Sequence, residues 1–490
     1  MTEQLQSRVR TGVRTTMIGT LLGGAIQLIT MVVLARLLVP ADYGFFVVAL
    51  SINALSVQFL SSAIERAMVV EQDATLLHGR GLMVAGGLTA VALLVFAFTA
   101  LVRWSLGWQV DLWLLAIVLA GQSLSGLATP SRALLRRQLR FGPLIGSELT
   151  ALICGNLLTA SALGWLGFGG FALATAQSVS FLISGTWILM MAPEGVYRPR
   201  FRRLGTLPRL MKDVAKPTVL EALNGQVAPL VVSSVLGPAP LGLYNRVYNI
   251  VTFPVQLLVG SVNRVLLSSL VSVASDPVLF RGAVHLMVRA ASGLITPLAL
   301  GLAGSNLTFV AVVLGPKWMS AAPIIPFLAV AVWGTMFGGV LGQSAESIGR
   351  FGARARIQAA TTGSLVVALP LGSFWGLEGV AIGTMLSCLL YAGLNMRLTA
   401  GMLNESVGTI VRWSSPGWCA GASCFLAARA VQWSGGTVPP IAMLVAQMLA
   451  CGTAAFLALF VLDRDLLFHI SSLLLPKRGD AWIRQRLSRG

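Results

Sequence analysis

Charge is what this sequence lacks most. Only 11% of its 490 residues are Asp, Glu, Lys or Arg, while 56% are hydrophobic and the mean hydropathy is +0.81. A soluble globular chain carries about twice that share of charge, so water is excluded as the main solvent here. Acids are the scarcer sign, with 17 Asp and Glu against 35 Lys and Arg. Histidine is rarer still. His78, His285 and His469 lie far apart, with no Cys or carboxylate cluster around them, which leaves no ligand set for a metal and no base–nucleophile pair; no cofactor is expected. The five cysteines, Cys154, Cys388, Cys419, Cys424 and Cys451, fall inside apolar stretches at no metal spacing and read as small interior residues.

Long apolar runs are abundant instead. Stretches of about 20 residues recur from end to end, each able to cross a hydrocarbon core as a helix that satisfies its own backbone groups. The expected spans are 15–38, 42–65, 81–102, 111–131, 143–164, 169–191, 217–237, 241–264, 285–314, 320–344, 355–374, 377–398, 413–431 and 440–462. The short alternating strands of a barrel do not occur. The fold class is therefore an all-α polytopic membrane protein of about 14 transmembrane helices. The first apolar stretch is too long for a cleavable signal peptide and lacks its small-residue exit.

Basic residues set the orientation. With the N-terminus inside, all of the 35 Lys and Arg except Arg36, Arg103, Arg246, Lys317 and Arg429 fall on the inner side, as cytoplasmic loops require. Both termini are then cytoplasmic. The net charge of +18 is a topology signal, so no nucleic-acid partner is expected. The basic segment RPRFRRLGTLPRLMKDVAK at 198–216 reads as a linker lying on anionic lipid. The tail DAWIRQRLSRG reads as an interfacial helix with Trp482, Ile483 and Leu487 inward.

The chain also repeats itself. RLLVPADYGFF at 36–46 is echoed by SVLGPAPLGLY at 234–244, and a shift of 198 positions lays Pro40 on Pro238, Ala41 on Ala239, Gly44 on Gly242, Ile52 on Ile250, Gln58 on Gln256 and Arg66 on Arg264. A looser echo sets Arg140-Phe141-Gly142 on Arg350-Phe351-Gly352, and Gly167, Gly170, Ala172 and Ser178 on Gly376, Gly379, Ala381 and Ser387. Six helices per copy is an even number, so both copies point the same way, the parallel-repeat arrangement of transporters. Two pseudo-symmetric six-helix lobes around a central cavity are expected: helices 1–6 over 1–191 and helices 7–12 over 217–400. The basic cytoplasmic linker 192–216 joins them, helices 13–14 follow over 401–463, and 464–490 forms a basic cytoplasmic tail.

ARLLVPADYGFFVVALSINAL at 35–55, RRQLRFGPL at 136–144 and the phrases GFGGFALA and GLEGVAIG at 167–174 and 376–383 carry a family likeness. The chain resembles the polysaccharide transporters, or O-antigen flippases, of the multidrug/oligosaccharidyl-lipid/polysaccharide exporter superfamily. The resemblance implies a two-lobed bundle in a bacterial inner membrane. It also implies a polyprenyl-pyrophosphate-linked oligosaccharide as cargo, membrane lipids as surroundings, and polymerase or export machinery as partners.

Such cargo needs hydrogen-bonding groups and positive charge at depth. Asn245, Asn249, Thr252, Gln256 and Asn263 hold one face of helix eight, a stripe suited to a cavity or to a second helix. Asn53 on helix two, Gln27 on helix one and Asn224 on helix seven lie on the repeat-related helices. Arg246 sits about five residues inside helix eight, roughly 7 to 8 Å from its outer end, where a charge needs a pair, a route to the head groups or a cavity. It is the leading candidate for pyrophosphate or an acidic sugar, with Arg36 at the outer end of helix one second. Glu221, the most embedded acid, is the candidate for proton or sodium coupling. A drug or cation antiporter of the same superfamily would want more acids. A membrane polymerase or sugar-transferase would want longer outer loops. No enzyme site is expected.

Overall fold

The computed structural model describes residues 3–70, 81–138, 140–192, 223, 225–434 and 438–464, with side chains described from Ile18 onward except at 67, 69, 70, 257–269, 271 and 272. Among the described residues there is no strand. In chain order the long helices are α1 (Glu3–Leu37), α2 (40–70), α3 (Gly81–Leu106), α4 (112–137), α5 (141–165), α6 (Gly170–Met191), α7 (Gly225–Leu236), α8 (Pro238–Val273), α9 (Pro277–Gly304), α10 (Ile325–Ser347), α11 (Phe351–Ser373), α12 (Gly376–Met402), α13 (Val407–Ser434) and α14 (Pro440–Leu462). Among the described residues, ten segments are long and apolar enough to cross a membrane, and helices also occupy the remaining expected positions as α7, α8, α11 and α13.

Caps explain where several helices begin. The Asp111 carboxylate accepts the backbone N–H groups of Trp113 and Leu114, and Asp276 does the same for Val278 and Leu279, meeting donors that a helix N-terminus leaves unpaired. Asp276 and Pro277 correct one sequence expectation. The span set at 285–314 is a helix that starts at Pro277 and breaks after Gly304, and short helical turns over 306–314 and 316–324 lead on to α10, with Asn306 donating to the Ala322 carbonyl at 3.1 Å.

The looser echo is reproduced in backbone geometry. Arg140 N–H donates to the Leu135 carbonyl at 3.0 Å, and Arg350 N–H to the Ala345 carbonyl at 2.9 Å, so both arginine turns close over the same five-residue step. Gly167 and Gly376, paired by the echo, both take positive φ, +83° and +66°, a region that costs glycine little. The repeat is thus a repeat of hairpins as well as of letters.

Clustering of the Cα positions divides the chain into two compact units, Met1–Asn245 and Arg246–Gly490. The division falls inside α8, whose first turn packs with the first turn of α2 through Gly44 and Gly242. In the first unit Leu88, Leu114, Leu115 and Val118 are buried at the centre of a core between α2, α3 and α4. In the second unit α13 lies close against α9: the Ser292 hydroxyl donates to the Ser414 carbonyl at 2.8 Å, and a methyl group at Gly417 would overlap Ser292. The last helix packs on α13, where the Gln447 amide donates to the Ala428 carbonyl at 3.1 Å.

Candidate functional site

At one end of the first unit the duplicated phrase meets its own copy. A side chain at Gly44 would overlap the Pro238 carbonyl, and one at Gly242 would overlap the Pro40 carbonyl. Each glycine thus lies on the other phrase's proline, backbone on backbone. Proline supplies a first helical residue with no N–H to satisfy, and glycine removes the side chain that would hold the two turns apart. The crossing accounts for the spelling P-x-x-x-G in both copies. Asp42 fixes the first turn, accepting Val39 N–H at 3.2 Å.

Beside the crossing, a cavity of about 900 Å³ lies between the C-terminal ends of α3 and α7, and Gly237, Pro238, Ala239 and Pro240 form one of its walls. A neighbouring cavity of about 580 Å³ surrounds the start of α4, and Trp108 and Gln109 line both. Sequence reasoning passed over these two residues. Their only signal is an aromatic and an amide in a short Gly-containing turn, LGWQVD at 106–111, a pattern that also describes an ordinary interfacial anchor.

The residues expected to meet cargo are placed as follows. Arg246 is buried, with 9% of its surface exposed; Asn245 is half-buried, and Asn249 and Gln256 are exposed. Gln27 and Arg36 are exposed on α1. Asn53 is wholly buried, one residue before a π-helical turn at Ala54–Gln58, and neither end of its amide finds a partner among the described residues; it presents no surface to a cargo in this conformation. Asn224 and Glu221 lie outside the described residues.

The model of the family described as "Polysaccharide biosynthesis protein" matches residues 33–323, more than half of the chain. The protein belongs to this polysaccharide biosynthesis family. A relative, the lipopolysaccharide biosynthesis protein WzxC of Escherichia coli (strain K12), is 25% identical over 81% of this chain and 80% of its own length. The succinoglycan biosynthesis transport protein ExoT of Rhizobium meliloti (strain 1021) is 25% identical over 62% of each chain. Among solved structures, the lipid II flippase MurJ in an inward closed conformation superposes with a TM-score of 0.72, covering 93% of this chain and 100% of its own at 14% identity. An inward-facing multidrug resistance MATE family transporter gives 0.63, covering 80% and 96% at 14% identity. These two likenesses establish the fold.

In this member of the polysaccharide biosynthesis family, the acids whose side chains are described are largely engaged. Asp42, Asp111 and Asp276 cap helices. Glu65 pairs with Arg136 at 3.0 Å, and Glu346 pairs with Arg354 at 2.7 Å. Glu405 pairs with Arg281 and Asp463 with Arg289. Glu148 and Glu378 remain, both exposed or half-exposed near helix ends. No group of three His, Cys, Asp or Glu is placed to hold a metal among the described residues.

Proposed function

We propose that this protein is a flippase, carrying an undecaprenyl-pyrophosphate-linked oligosaccharide repeat unit across the bacterial inner membrane for exopolysaccharide or O-antigen assembly. Membership of the polysaccharide biosynthesis family over residues 33–323 carries the reading, and relatives named for lipopolysaccharide biosynthesis and succinoglycan transport support it. The chain works as a transporter and not as an enzyme, with both termini in the cytoplasm. Polymerase and export machinery are its expected partners.

The parallel repeat, whose copies are related by an axis along the membrane normal, supports alternating access by one copy rocking against the other. In such a cycle the crossed Pro–Gly turns act as an outer seal, which has to part before cargo can leave. The buried Arg246 receives the pyrophosphate or an acidic sugar, because its planar guanidinium matches phosphate oxygens two at a time, while Asn245, Asn249 and Gln256 hydrogen-bond the sugar. Arg36 serves the same charge at the outer end. Glu221 takes up and releases the coupling proton or sodium ion.

The test is movement of a fluorescent lipid-linked oligosaccharide between leaflets of vesicles holding the purified protein. Transport of that cargo is expected. Efflux of cationic drugs with no oligosaccharide movement would replace this reading with the antiporter, a function for which the engaged acids leave few candidates.

A further inference from the structure

The two outer cavities around Trp108 are matched to the chemistry of a sugar. A sugar ring presents apolar C–H faces and an equator of hydroxyls, so a site for it combines an aromatic face with fixed polar groups. Leu106, Leu230 and Leu236 supply apolar wall beside Trp108 in the larger cavity, and Gln109 brings an amide to both. The polar rim is held in place: Arg103 Nη1 donates to the Val110 carbonyl at 2.8 Å, and Asp111 is pinned by capping α4. Trp108 Nε1 is buried and has no hydrogen-bond partner among the described residues. A buried donor left unmet costs about 1–3 kcal/mol, so this N–H calls for an acceptor from outside the protein.

We propose that these cavities form an exit subsite for the glycan of a lipid-linked saccharide, one ring stacking on Trp108 while the Trp108 N–H and the Gln109 amide hold its hydroxyls. The proposal rests on the saccharide-flippase reading. Gly237 to Pro240 wall the larger cavity and also carry the carbonyl that lies on Gly44. A bound glycan therefore bears on the segment that seals the outer end, which ties occupancy of the exit to opening and closing. A polyprenyl chain fits less well, because it would bury Gln109 and leave the indole N–H unmet.

The experiment uses the full chain in lipid nanodiscs and two probes. One is the mixture of free oligosaccharides released by mild acid from the polyprenyl-pyrophosphate pool of the expressing cells; the other is undecaprenyl phosphate without sugar. Trp108→Ala should weaken oligosaccharide binding about tenfold, the loss of one central aromatic anchor. Gln109→Ala should weaken it less, and Trp108→Phe, which keeps the ring and loses the N–H, should fall between wild type and Trp108→Ala. Binding of undecaprenyl phosphate should stay unchanged in all three. Unaltered oligosaccharide binding in Trp108→Ala and Trp108→Phe, or loss of undecaprenyl phosphate binding instead, would overturn the subsite. Wild-type transport of lipid-linked saccharide, measured in parallel, separates the two levels: transport with unaltered binding in these variants removes the subsite alone, and no transport removes the flippase reading beneath it.

Discussion

At Gly44 and Gly242 the missing side chain is the functional feature. Alanine at either position places a methyl group on a proline carbonyl, which two packed backbones cannot accommodate without separating. Gly44→Ala should therefore weaken the outer seal and expose the wall below it. With a cysteine introduced at the buried Val47, a membrane-impermeant thiol reagent should label Gly44→Ala cells faster than cells with Gly44; equal rates would show that the crossing seals nothing. At Arg246 a charge inside a helix needs a pair, a route to the head groups or a cavity, and the side chain is buried. Arg246→Ala should abolish export at normal membrane insertion, Arg246→Lys should keep part of it, and Lys317→Ala, at an exposed position, should change nothing. Export by Arg246→Ala at the wild-type rate would remove the arginine from the cargo path. Asn53 shows what single letters conceal. Its place on a repeat-related helix was legible, but whether an amide faces a cavity or a core depends on the neighbouring helices. Fully buried with both amide ends unmet, it should be replaceable: Asn53→Leu is expected to raise thermal stability by about 1 kcal/mol.

Helices were the most legible level, since a run of about 20 apolar residues has few other uses. The π turns at Ala54–Gln58 and Ala151–Thr159 were not legible, because one extra residue per turn leaves hydropathy unchanged. The N-terminal end of α9 was legible in its cap, Asp276-Pro277, but is too polar to be found by hydropathy. That polar end binds the last helices. Arg281 pairs with Glu405 in the α12–α13 loop, the His285 ring lies 4.7 Å from that of Trp413 on α13, and Arg289 Nε donates to Asp463 at 2.7 Å just past α14. The Asp463 side chain is only 2% exposed. Arg289→Leu leaves that carboxylate buried without its guanidinium and should lower stability by about 3 kcal/mol, whereas adding Asp463→Leu should restore much of the loss. A single variant no worse than the double would refute the pairing's importance. The exposed Arg281–Glu405 pair behaves differently. Hydrogen bonds from Arg281 first, then Thr409, hold the Glu405 carboxyl below the ordinary carboxylate range. Its contribution is complete above that range and disappears as the pH falls through the lowered value. Glu405→Gln should flatten that acid-side loss in a thermal melt, and an unchanged acid limb would assign it to other groups.

For the whole molecule, the expected orientation rests on a count of charges that no folded contact reveals. Thirty of the 35 Lys and Arg fall on one side when the N-terminus is inside, and an inverted chain would have to carry those charges through the membrane against the bias that sets topology. The duplication adds an independent constraint. Six helices per copy return the chain to the same side, so a wrong helix count in one half would put the two copies of the Pro–Gly phrase on opposite faces. Instead the two phrases meet, which fixes them at one common end and leaves only the choice between the two faces. A pair of reporters decides it. Arg203→Cys, in the basic linker, should stay unlabelled by a membrane-impermeant thiol reagent in intact cells and react once the membrane is opened, while Lys317→Cys, on the exposed stretch before α10, should react in intact cells. The reverse pattern would place the Pro–Gly crossing at the cytoplasmic face, turning an exit seal into an entry seal and the Trp108 cavities into the site where cargo is first received.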